Sequence, residues 1–317
     1  MRILVYGAGV IGCELAHELC KGKNDVTILA RGNWKQSIEK NGLVVQHYGQ
    51  LHTTKDSVNT IEKLNTDDKY DLIFVTMQYN QILNVLQQIA NNVSHYIVLV
   101  GNNMTPLNCA EQIKNLSTAE KEIAFGFQGT GGRRENGKVI SMHSFHVGMT
   151  VGGLNGHLTS DFQKFIITAF NNTGYQLTWE QNMEGWLLSH AAHILPTAYI
   201  CYSVDCNLRR TSKEQIRLAI DATSEAHKML KKLGYPIRPD GEEEAYKEKR
   251  KKKQRLLYLM VKTPAGKYVI STHCSHAVPE MSALDQKFEE LKRKAGVSMP
   301  AWDNLRNQAI AFLDNHC

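Results

Sequence analysis

The sequence predicts an α/β Rossmann-type domain over residues 1–178, followed by an all-helical domain over residues 179–317. Three observations predict this fold class. Short apolar runs alternate with amphipathic helical patterns in the first half of the chain, and a glycine-rich turn directly follows the first run. After Thr178 strand-like patterns nearly vanish, which places the boundary near that residue. Alternating strands and helices are typical of βαβ units built on a buried parallel sheet.

The elements of the first domain follow from its apolar spacing. RILVYG predicts a first strand, and the pattern from Val10 to Cys20 predicts the helix after it. DVTILA, YDLIFVT and HYIVLVG predict three more strands, with a helix from Gln81 to Ala90 between the last two. From Gly137 to Gly153 apolar residues alternate with polar ones and glycines interrupt them, which predicts antiparallel strands at the sheet edge.

The second domain consists of long helical patterns. The spacing predicts helices over Met183–Ile200, Ser212–Leu233, Glu242–Val261, Glu280–Ala295 and Trp302–Asn315. The basic run KEKRKKKQR, residues 247–255, contributes most densely to the net charge of +6. Because acids precede these bases by a turn or two, we interpret the run as a solvated helix face. A nucleic-acid or membrane patch is the alternative, and no interleaved aromatic residues favour it.

Cysteine usage and the terminus indicate the compartment. The seven cysteines are scattered and form no CxxC pair, so the sequence predicts neither a disulfide framework nor a zinc knuckle. No apolar run approaches the roughly 20 residues that span a bilayer, and the N-terminus lacks a signal-peptide pattern. We therefore expect a reduced, cytoplasmic protein without membrane or nucleic-acid partners, and no metal site.

A dinucleotide-binding turn follows the first strand. It consists of Gly7, Ala8, Gly9, Val10, Ile11 and Gly12. The GxGxxG pattern alone is weak, but a strand before it and a helix after it are the context that supports dinucleotide binding. The first glycine allows the tight turn, the second lets the backbone approach a pyrophosphate, and the third permits close helix–strand packing. The start of the helix then faces the anion.

The end of the second strand indicates the cofactor. An NAD site would place Asp or Glu there to bind the ribose 2′-hydroxyl, whereas this chain has Arg31 between Ala30 and Gly32. A guanidinium pairs with a phosphate in a bidentate geometry that lysine does not reproduce. We therefore expect NADP(H) rather than NAD(H).

Several short motifs, in their order, resemble the ketopantoate reductase (2-dehydropantoate 2-reductase) family. They are GAGVIG, ILARG, VGNNM, GTGGRRENGKVI, NMEGW and PEMSALDQKFEELKRKAGVSMP, and they extend over essentially the whole chain. The resemblance implies an oxidoreductase that binds NADPH across the Rossmann sheet and reduces a small ketoacid. It leaves a homodimer open.

The resemblance also implies roles for individual residues. Asn102, after the VLVG strand, matches a residue that touches cofactor and substrate. Gly132 falls where the backbone passes the nicotinamide, and Glu280 matches a glutamate that reaches the cofactor ribose and the substrate region. Gln78 stands where the family usually has a lysine at the end of a strand.

A second departure concerns the catalytic lysine of the family. That lysine lies two residues after the tryptophan of the first helix of the second domain, with asparagines one and two turns further on. Alignment on Trp186 places these positions at Leu188, Ala192 and Pro196, and alignment on the proline places them at Leu187, Ala191 and Leu195. Either register makes that helix face apolar.

The proton donor is therefore open, and histidines are the candidates because their ordinary pKa lies near neutrality. We rank His276, beside Glu280, above His190, which points off the lysine face. His193 and His273 are weaker candidates, and each of these histidines has a plain packing alternative. HxxH at residues 273–276 could bind a metal, but the sequence offers no third ligand.

Two functions remain. The first is an NADPH-dependent reductase of a small 2-ketoacid or related carbonyl, with a substrate other than ketopantoate. The second is a non-catalytic NADP(H)-binding protein derived from that family. Loss of the lysine favours the second function, whereas retention of Asn102 and Glu280 favours the first.

Overall fold

The structure of the protein is a computed structural model, and it describes residues 1–48, 52–143, 146–156, 158–263 and 266–316. The chain divides into two compact units, Met1–Met183 and Glu184–Cys317. The first unit is α/β and the second is helical, which confirms the predicted fold class.

The first unit contains two sheets. Its strands are β1 (Arg2–Tyr6), β2 (Asp25–Leu29), β3 (Leu43–His47), β4 (His52–Asp56), β5 (Asn59–Ile61), β6 (Leu72–Val75), β7 (Tyr96–Val100), β8 (Glu122–Gln128), β9 (Gly131–Glu135), β10 (Lys138–Met142), β11 (Gly148–Gly152) and β12 (Gln176–Trp179). The larger sheet has the order β12-β11-β8-β7-β6-β1-β2-β5 and the smaller one β4-β3-β10-β9.

The larger sheet is parallel from β5 to β8. β1 pairs in parallel with β2 on one side and with β6 on the other, and β7 continues the parallel set. The side chains of β6 are all buried, and β1 and β2 are buried after their first residue. This continuous burial explains their uninterrupted apolar sequences, because helices cover both faces of such a sheet. The carboxyl ends of these strands therefore share one edge.

The smaller sheet was not predicted from the sequence. β9 and β10 form the antiparallel hairpin expected around Gly137, but β10 pairs in parallel with β3 rather than with the larger sheet. In the larger sheet β11 pairs antiparallel with β8, but it is not the edge strand, because β12 pairs with its other side in parallel. β4 escaped sequence reasoning because its residues, HTTKD, are polar and mostly exposed.

The helices of the first unit connect these strands. They are α1 (Val10–Lys21), α2 (Gly32–Asn41), α3 (Tyr79–Ile82), α4 (Leu86–Asn91), α5 (Pro106–Leu116) and α6 (Ser160–Ala169). The single helix predicted over Gln81–Ala90 is wrong. The chain forms two short helices there, since tight turn bonds from Asn84 N to Gln81 O and from Val85 N to Ile82 O interrupt the helix.

The second unit is built from helices. They are α7 (Met183–Ser203), α8 (Lys213–Lys232), α9 (Glu242–Lys247), α10 (Arg250–Lys262), α11 (Thr272–His276), α12 (Val278–Ala295) and α13 (Pro300–His316). A capping box between Ser212 and Gln215 starts α8. The predicted helix Glu242–Val261 is two helices, with a break at Glu248 and Lys249. None of the described helices has the length and apolar composition needed to cross a lipid bilayer.

A buried carboxylate connects three of these helices. Asp285 of α12 accepts hydrogen bonds from the Tyr199 hydroxyl of α7, at 2.5 Å, and from the Arg306 guanidinium of α13, at 2.8 Å through both nitrogens. The bidentate pairing satisfies a group that would otherwise be costly to bury. It fixes how α7, α12 and α13 pack together.

We predict that His227 makes the stability of the protein sensitive to acid. The side chain is buried, neither ring nitrogen has a hydrogen-bond partner among the described residues, and burial lowers its pKa from 6.5 to about 4. Below pH 6.5 the unfolded imidazole binds a proton and the folded one does not, so stability falls with decreasing pH. The slope from this residue approaches about 1.4 kcal/mol per pH unit.

The measurement is the free energy of unfolding between pH 7 and 4.5, for the wild type and for His227→Leu. In the variant the free energy of unfolding should depend less on pH, because the titrating imidazole is gone. Its stability at pH 7 should be kept, because an apolar residue of similar size replaces an unpaired polar group. His95→Leu, at a half-exposed position of the first unit, is the control and should retain the full slope. Equal slopes in His227→Leu and wild type would contradict the prediction.

Candidate functional site

The turn after β1 is shaped by Gly7. Its φ of +122° lies in a region that residues with a side chain rarely adopt. A Cβ on Gly7 would lie 2.8 Å from Thr76 Oγ1, and the Thr76 hydroxyl donates a hydrogen bond of 2.9 Å to the Gly7 carbonyl. Thr76 follows β6, so the neighbouring strand helps to fix the turn.

Gly12 and Gly9 have different steric surroundings. A Cβ on Gly12 would lie 1.9 Å from the Gly7 carbonyl oxygen, so α1 can approach the turn only because Gly12 lacks a side chain. A Cβ on Gly9 would have no described atom within 4 Å. Gly12 is therefore required for packing, whereas the surface over Gly9 is open for a ligand to approach the backbone.

The first turn of α1 has free hydrogen-bonding capacity. Gly9 is the N-cap residue and provides no side-chain cap, and the first turn, residues 10–13, contains no acidic residue. The amides of Val10, Ile11 and Gly12 have no acceptor within the helix, whereas the Cys13 amide already donates to the Gly9 carbonyl at 2.9 Å; the helix dipole adds partial positive charge at this end. Helix α1, with 12 residues, therefore presents amide donors beside the open surface of Gly9. This arrangement suits a phosphate group.

Arg31 lies at the end of β2, next to this turn in the sheet. Leu29 of β2 pairs with Tyr6 of β1, so the residues that follow each strand share one edge. Arg31 is exposed, and its Nε donates a long hydrogen bond of 3.4 Å to the Glu62 carbonyl. Burial raises the pKa of the Tyr6 hydroxyl, and the positive charge of Arg31 partly offsets that increase. The guanidinium thus lies close to the end of β1 and largely in solvent.

Gln78 and Asn102 follow the next two strands along the same edge. Gln78 precedes α3 after β6, and Asn102 follows β7; both are half-buried. The adjacent Asn103 is buried, and its Oδ1 accepts a hydrogen bond of 2.8 Å from the Thr105 amide at the start of α5. Asn103 therefore helps to fix the turn between β7 and α5, in which Asn102 also lies.

Gly132 lies beside the glycine turn. It belongs to β9 and has a φ of +141°. A Cβ on Gly132 would lie 2.0 Å from the Ile140 carbonyl oxygen and 3.2 Å from Val10 Cγ1. The contact with Val10 brings the smaller sheet against the first residue of α1. Sequence reasoning identified Gly132 only through the family resemblance, since no local pattern predicts a pairing with Val10.

In the second unit, α7 buries the positions where the lysine and the two asparagines were sought. Leu188 is 1% exposed and Ala192 0%, and Pro196 is buried as well. The alternative register is also buried, at Leu187, Ala191 and Leu195. Neither register therefore offers a polar or accessible group.

A different face of α7 is open. Trp186, His190 and Ile194, four residues apart, are half-buried, and His193 is exposed. The rings of Trp186 and His190 are stacked, with centroids 5.1 Å apart and an interplanar angle of 10°. Burial, together with the charges of His193 and His273, lowers the pKa of His190 to about 3, so this imidazole is neutral at pH 7. The W-x-x-x-H spacing was the available sequence signal for this stacked pair.

His276 and Glu280 lie in one short segment. His276, the last residue of α11, is exposed, and its Nδ1 lies 2.8 Å from the Thr272 carbonyl oxygen. Nδ1 therefore carries the hydrogen, and Nε2 is the nitrogen that can bind or release a proton. Glu280 is buried in the first turn of α12, while His273 is half-buried on α11. The structure thus keeps an accessible histidine a few residues before the buried glutamate.

The first half of the chain has relatives of known class. Residues 3–156 match the family described as ketopantoate reductase PanE/ApbA. A 2-dehydropantoate 2-reductase of Pyrococcus horikoshii is 25% identical over 190 residues, which cover 59% of this chain and 58% of that protein. The alignment thus spans little more than half the length of this relative.

Solved structures resemble the chain over nearly its full length. A 2-dehydropantoate 2-reductase from Geobacter metallireducens has a TM-score of 0.76 and 17% identity, with 98% of this chain and 99% of that chain covered. The ternary structure of D-mandelate dehydrogenase with NADH and anilino(oxo)acetate has a TM-score of 0.76 and 17% identity, with 99% of both chains covered. At this identity the likeness shows the fold.

We predict opposite outcomes for alanine at two glycines of the turn. Gly12→Ala should destabilise the first unit by about 1–3 kcal/mol or more, because the new methyl group overlaps a backbone carbonyl that has little room to move. Gly9→Ala should leave the unfolding transition nearly unchanged, because its Cβ meets no described atom. Thermal and denaturant unfolding of the two variants test this. A Gly12→Ala variant as stable as Gly9→Ala would show that the close approach of α1 is not required.

Proposed function

We propose that this chain, which resembles the ketopantoate reductases, is an NADPH-dependent reductase of a small 2-ketoacid or related carbonyl. The observation that carries the proposal is the open, uncapped start of α1 at Gly9; Gly12 lets this helix approach the turn after β1 closely. Amide donors, helix dipole and absence of a Cβ together fit the pyrophosphate of a dinucleotide. No acidic side chain in that turn repels the ligand.

The cofactor site would extend along the strand ends. Gly7 to Gly12 would hold the pyrophosphate, and Arg31 would pair with the 2′-phosphate. Exposure of Arg31 and its single long hydrogen bond leave most of its donors available. Asn102 and Gln78 would lie further along the same edge, and Gly132 would keep the backbone near Val10 close to the nicotinamide half. The same geometry supports NADP(H) over NAD(H), since no carboxylate occupies the end of β2.

The reduction requires a hydride and a proton. A nicotinamide cofactor, when bound, would supply the hydride to the carbonyl carbon, and a protein group would give a proton to the oxygen, which becomes a hydroxyl. Asn102 would orient the carbonyl, and Glu280 would accept a hydrogen bond from a hydroxyl of the substrate or of the ribose. Both roles follow from the family resemblance.

His276 is the better proton donor of the two leading histidines. It is exposed, and its Nδ1 bond to Thr272 leaves Nε2 free to exchange a proton. His190 is a poor source of a proton at neutral pH, because its low pKa keeps it uncharged. Its neutral ring can still donate a hydrogen bond, so His190 fits a role in binding the substrate better than one in proton transfer.

The substrate is proposed to differ from ketopantoate. Buried apolar residues occupy both registers of the lysine, and the open face of α7 has the aromatic pair Trp186 and His190 instead. D-mandelate dehydrogenase, which shares the fold, was solved with anilino(oxo)acetate. A 2-ketoacid with a flat or aromatic substituent is therefore a reasonable first choice.

A second candidate function is a non-catalytic NADP(H)-binding protein. The same apolar positions, Leu188, Ala192 and Pro196, favour it, because a general acid contributes about 10²–10⁴-fold to a rate. Oxidation of NADPH with a panel of 2-ketoacids and bulkier ketones, ketopantoate included, distinguishes the two functions. We expect turnover with an aromatic or branched 2-ketoacid and little or none with ketopantoate; cofactor binding without any turnover would favour the non-catalytic function.

We predict that Arg31→Ala weakens NADP(H) binding by about 1–3 kcal/mol, the range for a hydrogen bond to a charged group, and leaves NAD(H) nearly unchanged. The measurement is titration of both cofactors by intrinsic fluorescence or calorimetry. Gly9→Ala should weaken both cofactors, because its methyl group intrudes on the pyrophosphate, while Arg209→Ala in the second unit is the control. Equal affinity of the wild type for NADP(H) and NAD(H) would contradict the assignment of Arg31.

We predict that the rate falls as the pH rises, since the imidazolium that donates the proton is lost. The pH–rate profile is measured with the best ketone for wild type, His276→Ala and His190→Ala. His276→Ala should reduce kcat by about 10²–10⁴-fold and remove this limb. His190→Ala should raise KM and keep the limb, because His190 is already neutral. A full rate and unchanged limb in His276→Ala would contradict the ranking.

A further inference from the structure

A cluster of histidines and acids lies between α1 and the smaller sheet of the first unit. Glu14 comes from α1, His47 from the end of β3, and His143 directly follows β10. The side chain of Glu14 is 0% exposed, that of His47 3% and that of His143 6%. Three ionisable groups from segments distant in sequence therefore share one interior site, which the proposed reductase function does not use.

Both oxygens of the Glu14 carboxylate are buried, and neither has a hydrogen bond of ordinary geometry among the described residues. Burial raises the pKa of Glu14, and the nearby Ser141 hydroxyl partly offsets that rise. The nitrogens nearest to the Glu14 carboxylate are His47 Nδ1, 3.6 Å from Oε1, and His143 Nε2, 3.8 Å from the same oxygen. These separations are too long for hydrogen bonds, which require about 2.7–3.2 Å. An unpaired buried carboxylate costs several kcal/mol, so native proteins pair such groups or coordinate them to a metal.

The orientation of His47 indicates what the carboxylate faces. His47 Nε2 lies 3.0 Å from Thr54 Oγ1, and the Thr54 hydroxyl donates to the Val45 carbonyl at 3.3 Å. Because the hydroxyl hydrogen is used in that bond, Thr54 accepts a hydrogen from Nε2 of His47. Nδ1 then carries the lone pair, and it lies 3.6 Å from Glu14 Oε1. A nitrogen lone pair close to a carboxylate oxygen is electrostatically unfavourable. A cation bound by both atoms would make the same arrangement favourable.

We propose that Glu14, His47 and His143 bind one divalent transition-metal ion of the zinc class. Two imidazoles and a carboxylate are a frequent ligand set for Zn²⁺ and for Fe²⁺. Bonds of about 2.0–2.2 Å in a tetrahedral site place ligand atoms about 3.3–3.5 Å apart. The two observed pairs exceed this by a few tenths of an ångström, and all three ligand atoms lie within 4.8 Å of one another.

The neighbouring groups support this ligand set. His17 Nδ1 is bound to Asp56 Oδ2 at 2.7 Å, so that histidine is already paired. His52 is exposed and stacks on His47, with ring centroids 4.4 Å apart. The bond from His47 to Thr54 is the outer-shell contact that orients metal-binding histidines in general. His17 and His52 therefore surround the site and do not complete it.

The ion would hold α1 against the smaller sheet. Its three ligands come from α1, β3 and the segment after β10, so binding would stabilise the first unit and would not depend on turnover. Zn²⁺ and Fe²⁺ would both satisfy the ligands, and Mg²⁺ would not, because it prefers oxygen ligands in octahedral geometry.

The experiment uses the full-length protein, freed of metal with a chelator. Titration with ZnCl₂ should show one ion per chain and a raised melting temperature, and parallel titrations with Fe²⁺, Mn²⁺ and Mg²⁺ identify the preferred metal. X-ray absorption at the zinc edge should show two imidazole nitrogens and at least one oxygen. No uptake by the folded wild type, or a first shell without imidazole, would overturn the proposal in favour of a protonated Glu14.

Variants test the individual ligands. Glu14→Gln and His47→Ala should each weaken Zn²⁺ by more than about tenfold, and Thr54→Val, which removes the acceptor for His47, by about 10–100-fold. The matched control is His52→Ala, which removes the stacked neighbour and should bind zinc as the wild type does. Ligand variants that fold and bind as tightly as His52→Ala would overturn the proposal. If a variant fails to fold, the X-ray absorption spectrum of the zinc-loaded wild type still tests whether imidazole nitrogens bind the ion.

Discussion

The close approach of α1 to the turn after β1 is the constraint on which the first unit depends. Only a glycine at residue 12 allows it, because any Cβ would overlap the Gly7 carbonyl oxygen. With the helix held there, its amino end opens toward Gly9, and its side carries Glu14 to the smaller sheet. One backbone contact therefore sets the positions of the proposed phosphate site and of the histidine cluster. The two features use different faces of the same helix, so their chemistry can be tested separately.

Much of the fold can be predicted from the local apolar pattern of the sequence, because the central strands are buried. Strands β1, β2, β6 and β7 lie inside a parallel sheet, so their apolar runs are long enough to read without any partner. β4 could not be found, because it is polar and forms a strand only by pairing with β3. The glycine turn and Arg31 were predictable from their place after strands. The contact between Gly132 and Val10 depends on a long-range pairing that no local pattern contains.

In the helical unit, the candidate catalytic positions were also hard to predict from the sequence. The family resemblance assigns a lysine to positions of α7 that are buried here, while the more accessible face of α7 passes through Trp186, His190 and Ile194. The sequence of a mostly apolar helix does not indicate which side is buried, because apolar residues occur on all of its sides. The cluster of Glu14, His47 and His143 could not be predicted from the sequence for another reason. Its members come from three distant segments, so no sequence spacing of metal ligands identifies them.

The parallel pairing of β3 with β10 has a consequence for how the chain folds. Val45 pairs with Val139, so about 90 residues must be made before β3 gains its second neighbour. During synthesis the hairpin of β3 and β4 would have unpaired strand edges until β10 is made. Unpaired edges of this kind can form β-sheet hydrogen bonds with other chains. Most of the side chains of β4 are exposed and polar, and they include the charged Lys55, which discourages that association. The polarity that hid this strand from sequence reasoning is thus suited to protecting the nascent protein from aggregation.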